Sequence, residues 1–136
     1  MINGLKKDLK SKLRKKSNAT LLVRDLLGCT CPSEIFDHYQ VQEHISENIP
    51  TIQMIMGNRL LVRIVDSAKL NDPQNAALRL LKEGHAERER RRLNRFRLVI
   101  IGGFSPIETH ELEELPKRFD DKVHLHILTS IESALD

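Results

Sequence analysis

The run Leu98-Val99-Ile100-Ile101, closed by Gly102-Gly103, constrains this chain more than any other stretch. Four consecutive aliphatic residues leave a strand no polar face, so both faces must be covered, and helices on two sides of a sheet do that most simply. Neighbouring segments agree. Thr51–Met56 and Arg59–Asp66 flank Gly57-Asn58, two residues that tolerate positive φ and suit a hairpin turn. Leu60, Val62 and Ile64 then face the core, with Arg59, Leu61 and Arg63 on the opposite face. Val123, Leu125 and Ile127 alternate with His124 and His126 in a last strand. Ala19–Leu27, rich in Leu and Val and bounded by Ser17-Asn18 and Gly28, reads as a first strand. Residues 40–50 carry little periodicity and read as a loop or weak edge strand closed by Pro50.

Helix starts are marked by caps and prolines. Ser105-Pro106-Ile107-Glu108 places a cap, a first-position proline and a third-position acid in order, and the helix runs to about Leu115. Asn71-Asp72-Pro73 begins another, with Asp72 as cap and Ala77, Leu80 and Leu81 at helical spacing before Gly84 ends or weakens it. Thr129-Ser130-Ile131-Glu132 begins a short terminal helix. Alternating elements of this kind predict a single α/β (α+β) domain: a mixed sheet of about five strands with helices packed on it. A ferredoxin-like split βαβ core fits the order best, with a thioredoxin-like or doubly wound sheet as alternatives. At 136 residues the chain is long enough to bury one core without disulfide staples.

Charge is unevenly spread. The chain carries a formal +3, yet residues 1–17 hold seven Lys or Arg against one Asp, leaving a net −3 for the rest. That segment spaces Leu5, Leu9 and Leu13 four apart between Lys6, Lys7, Lys10, Lys12, Arg14, Lys15 and Lys16, which predicts a basic amphipathic N-terminal helix ahead of a globular core at 18–136. It reads as a helix laid across the domain or a partner subunit, or as a membrane-surface or nucleic-acid arm. No apolar run approaches the ~20 residues of a membrane span, and a cytoplasmic location is expected. With no Trp and few aromatics, base-stacking platforms are not expected.

Both cysteines stand in Gly28-Cys29-Thr30-Cys31-Pro32. If Ala19–Leu27 is a strand and Pro32 opens a helix, Cys31 becomes its N-cap and Glu34 its capping-box acid. A thiolate at such a position has a lowered pKa, with Cys31 the stronger candidate and His38 a nearby acid or base. Should the strands be parallel, Cys31, Ser105 and Thr129 line one carboxyl edge, where α/β sheets bind ligands. Extended residues two apart have Cα atoms about 6.5 Å apart, near the limit for disulfide closure. Two thiolates can also share one soft metal ion, which makes Cys29 and Cys31 candidate metal ligands. His124 and His126 could complete a two-Cys, two-His set, but an extended strand would hold His124 roughly 16 Å below the thiol edge. Packing as two small hydrophobes is the alternative reading of the cysteines.

The stretch from about Leu21 to Phe36 resembles the strand, thiol loop and helix start of thioredoxin-like proteins and small heavy-metal carriers, with one spacer between the cysteines in place of two. The second candidate segment runs from Glu87 to Arg97, with Glu87 set to pair with Arg91 and Glu89 with Arg92 on a helix. Arg88, Arg91, Arg92 and Arg95 are its candidate contacts for an anion or partner. The expected function is a small thiol protein using Cys29 and Cys31, supported by Gly28, Pro32, Glu34 and His38, for reversible redox chemistry or soft-metal binding. The competing class is a noncatalytic module for nucleic acid or an acidic protein. A homodimer is also expected, since the terminal helix and hairpin offer surfaces to cover.

Overall fold

The five strands lie side by side in the order in which they occur along the chain. A computed structural model describes residues 2–136, with side chains from Asp8 onward. β1 (Tyr39–Ser46), β2 (Ile49–Met56) and β3 (Leu60–Asp66) form an antiparallel meander, and β4 (Arg95–Ile101) and β5 (Val123–Leu128) extend it in parallel. The mixed five-stranded α/β sheet is therefore as the sequence predicts. Its topology is a meander followed by two crossovers, in place of a split βαβ unit.

Crossovers must pass over a sheet face. α3 (Pro73–Arg91) and α4 (Pro106–Glu114) both cover one face, where Leu61, Val65, Phe96, Leu98 and Ile100 pack with Leu80, Leu81 and Leu112. The other face is covered by the N-terminal segment. α1 (Ile2–Leu13) contributes Leu9 and Leu13, and α2 (Lys16–Thr20), continued by a π-helix over Leu21–Leu26, contributes Ala19, Leu22 and Val23 against Met54, Val62 and Val99. The side chains of Leu5, Lys6 and Lys7 lie outside the described residues; Leu9 and Leu13 lie inside the core. Asn18 ties this layer together, donating to the Lys12 carbonyl (2.9 Å) and accepting from the Asp136 N–H (2.9 Å).

Ala19–Leu27 is thus helical, a correction to the first-strand reading. Its buried residues Ala19, Leu22, Val23 and Leu27 recur at helical spacing, and Thr20, Arg24 and Asp25 interrupt the apolar run on the opposite side, so the pattern is that of an amphipathic helix laid on the sheet. Residues 40–50 follow the second of their two readings, an edge strand, since β1 is the outermost strand of the sheet. They form most of β1 and the turn into β2, where Glu47 and Asn48 both adopt positive φ (51° and 64°). β1 is exposed at Gln40 and Gln42 on one side and at Glu43 and Ile45 on the other, so its sequence lacks the alternation expected of a half-buried strand. Pro50 sits near the start of β2, at a position where a proline is tolerated.

Other signals hold in part: Asp72 stands at the N-cap of α3 without a side-chain cap bond. Ser105 and Glu108 form both arms of a capping box at 3.1 Å each. Gly57 and Asn58 take positive φ, although the loop is one residue longer than a two-residue turn, and β3 begins at Leu60. Gly84 does not end α3. A Cβ there would lie 2.1 Å from the Phe96 ring, so the glycine allows helix and β4 to approach. The Glu87–Arg97 segment is split: α3 ends at Arg91, Arg92 takes left-handed φ (58°), and Arg95 and Arg97 belong to β4.

Candidate functional site

Gly28 closes the α2–π segment. Its φ of +69° lies in the left-handed region, and the following Cys29 N–H donates to the Val23 carbonyl at 3.0 Å, a helix-ending wrap of the Schellman kind. This turn carries Cys29 into the core, while Thr30 and Cys31 come back toward the surface. Pro32 is the cap residue of a short 3-10 turn, Ser33–Phe36, with no side-chain cap bond. The expected N-cap role for Cys31 and capping box at Glu34 are therefore corrected. With no long helix starting there, Cys31 gains no stabilisation from helix amides.

The cysteines are free, and their sulfurs touch at 2.7 Å. Burial, and then the neighbouring Cys29 sulfur, push the Cys31 thiol up to about 11. Arg24 opposes this more weakly: its Nη2 donates to the Cys31 carbonyl at 2.8 Å, and its guanidinium lies over the Phe36 ring. The expected lowered pKa is thus reversed, because removing the thiol from water and placing a second sulfur beside it outweigh one nearby cation.

The pair borders a cavity of about 150 Å³ that Arg59, Asn94, Arg95 and Arg97 also line. Sheet register explains the gathering. Leu60 pairs with Arg95, so β3 and β4 begin together, and the Asn94 and Arg95 amides both donate to the Arg59 carbonyl (2.7 and 3.0 Å). Arg95 and Arg97 lie two apart and share the face that carries the N-terminal layer. The thiols therefore sit at the amino edge of the parallel strands, a correction to the carboxyl edge expected from Ser105 and Thr129. A mostly apolar cavity of about 260 Å³ does lie at the carboxyl edge, bordered by Leu9, Ile52, Ile64, Asp66 and Thr129, and it is lined by neither thiol nor histidine.

The reversed edge also brings the histidines close. Arg97 Nη1 donates to the Leu27 carbonyl (3.2 Å) and to His126 Nε2 (2.9 Å), and Arg95 Nη1 contacts His124 Nε2 at 3.2 Å. Burial and then Arg97 hold His126 down to about 4 and lower His124 as well, so both rings are neutral at pH 7. The long separation expected between His124 and the thiol edge does not occur.

Of the other predicted residues, Glu34 and His38 are exposed and neither lines the thiol cavity. Of the predicted arginines only Arg95 reaches it. Arg88 is buried and bound to Asp120 at 2.9 and 2.5 Å, and Arg91 pairs with Glu87 at 2.5 Å as its spacing predicts. Glu89 pairs with Arg88 instead of Arg92. Arg97 ends the candidate segment without being singled out as a contact, and Arg59 reads only as a strand residue, although Arg95-Phe96-Arg97-Leu98 already shows the two-residue period that places Arg95 and Arg97 on one side of a strand.

Among the described residues, one group gathers three metal-ligating side chains, His85, Glu89 and Asp120, and Arg88 already occupies both carboxylates. A soft ion at the thiol pair would be held by two sulfurs without a third ligand of that kind. Among the described residues, no helix is long and apolar enough to cross a membrane. No protein-family model matches the chain, and no curated protein matches it closely enough to indicate descent.

Proposed function

We propose that Cys29 and Cys31 are a redox-cycling dithiol that exchanges with a small-molecule disulfide. The contact between the two sulfurs carries this reading: at 2.7 Å they stand within about 0.7 Å of S–S bonding distance. Cys31, the more accessible sulfur, loses its proton to solvent and attacks one sulfur of the disulfide. That S–S bond breaks, and one half leaves as a thiolate that takes up a proton. Cys29 then loses its proton and attacks the Cys31 sulfur of the mixed disulfide, and the second half leaves as a thiol. The small disulfide gains two electrons and the protein dithiol loses them.

A thiol held up to about 11 is mostly protonated at neutral pH, so exchange is slow there and accelerates as pH rises. That profile suits a pair that stores an oxidation state better than a fast catalyst.

The test is incubation of reduced protein with 2-hydroxyethyl disulfide, followed by alkylation under unfolding conditions and intact mass measurement. The expected product has lost two hydrogen masses, resists alkylation at both positions and returns on reduction. The Cys29→Ser protein stops at a mixed disulfide on Cys31. Two fully alkylated cysteines after exposure to excess disulfide at pH 9 overturn the reading.

A further inference from the structure

We propose that the cavity bordered by the thiol pair is an oxyanion-binding site, which takes a phosphate- or carboxylate-sized group between Arg59, Arg95 and Arg97. The site is independent of whether the thiols cycle.

Charge balance is the first support. Arg59, Arg95 and Arg97 all line one small cavity, and Arg24 is bound to the backbone of Cys31 beside it. Among the described residues none of these four makes an ion pair with a carboxylate, whereas Arg63, Arg88, Arg90 and Arg91 all do. The partners that Arg95 and Arg97 have are neutral: two imidazoles and a carbonyl. A guanidinium taken out of water without a counter-charge is unfavourable, and an anion arriving there relieves it.

Arg97 supplies the second support. It is 7% exposed, and its Nε is buried with no hydrogen-bond partner. Arg63 Nη2 and Arg88 Nε are orphaned in the same way, so what sets Arg97 apart is that every partner its guanidinium does have is neutral while those two arginines hold carboxylates. Asn94 adds an amide on the same wall. About 150 Å³ admits a phosphate or a carboxylate with some water, since one water occupies about 30 Å³ of liquid. Guanidinium groups that converge from a loop and a strand suit oxygens spread over a small planar or tetrahedral anion.

The experiment is calorimetric titration of the reduced protein, and separately of the Cys29→Ser/Cys31→Ser protein, with sodium phosphate and with sodium succinate at constant ionic strength in chloride. Saturable binding of at least one of the two is expected in both proteins. Binding by phosphate alone or by succinate alone identifies which source supplies the oxyanion. Arg97→Gln is expected to weaken binding about tenfold, and so is Arg59→Gln, which alters an exposed loop residue and keeps the fold. Arg118→Gln, on an exposed arginine that does not line the cavity, leaves binding unchanged. The bound anion should also slow alkylation of Cys31 by iodoacetamide with the same saturation midpoint. No saturable binding of either anion overturns the proposal, and so does binding that Arg59→Gln and Arg97→Gln both leave intact. Binding that persists in the double serine protein, while the wild-type thiols fail to form a disulfide, retains this site and removes the redox reading.

Discussion

The two faces of the sheet give buried arginine partners of different charge. On the α3 face, Arg63 is 1% exposed and held by Gln53 and Glu83, and Arg88 is forked onto Asp120. On the thiol face, Arg97 is nearly as buried and meets only a carbonyl and a neutral imidazole. Matched charges read as structure, because removing one partner strands the other in a poorly solvated place. Unmatched charges beside a cavity read as a site awaiting its counter-ion. The same residue type, on adjacent strands of one sheet, thus takes a structural or a receptive role according to whether a carboxylate is in reach.

The sharpest way to break this contrast is to delete one arginine from each face. Arg63→Ala leaves Glu83 without its partner, opens a buried volume and is expected to cost about 3 kcal/mol. Arg97→Ala removes an uncompensated charge along with its bonds to the Leu27 carbonyl and to His126 Nε2, and is expected to cost about 1 kcal/mol, well under the loss at Arg63. Denaturant midpoints at unchanged m-value measure both, and equal losses would erase the distinction.

Acidification separates the faces less strongly. Folded His126 accepts its proton only near about 4, against 6.5 for the unfolded residue. The unfolded chain therefore binds more protons between those values, and stability falls as pH drops from 6.5 toward 4. On the α3 face the Arg90 and Arg91 side chains hold Glu87 down to about 2, and Arg88 does the same for Asp120, both from ordinary carboxylate values near 4. Their contribution is complete above the unfolded carboxylate range and is lost as pH falls through about 2. Stability against pH should show two descents, with His126→Asn flattening the upper and Glu87→Gln the lower. A single descent unaffected by His126→Asn would show that burial does not hold that ring neutral.

The smallest effect belongs to the thiol itself. In the folded protein the iodoacetamide reaction of Cys31 should keep rising to about pH 11, while in the unfolded chain it levels off near 9. A folded-state profile that levels off at or below 9 would restore the lowered pKa expected from a helix-start position.

Much of the fold was legible because its signals are local. The capping box at Ser105 and Glu108, the positive-φ turn at Gly57-Asn58 and the doubly apolar β4 depend only on residues within a few positions of one another. The main departure fell where residue type outweighed spacing. Ala19–Leu27 is rich enough in Leu and Val to pass for a strand although its buried residues have helical spacing, and β1 has little periodicity because it is the edge strand, with exposed residues on both sides. Once the first strand became a helix, the cysteine turn moved from the carboxyl edge to the amino edge.

The sequence by itself determined that two thiols stand one residue apart behind a glycine, that an α/β sheet encloses a core, and that arginines are abundant near the start of β4. Each of these is written in consecutive residues. Tertiary structure alone decided which arginines meet the thiols. Strand register brings Arg59, Arg95 and Arg97 to one cavity from two elements, while Asp120, 32 positions beyond Arg88, neutralises it on the opposite face. The reversed thiol pKa has the same origin, because desolvation and the contact with Cys29 arise only when the turn folds into the core.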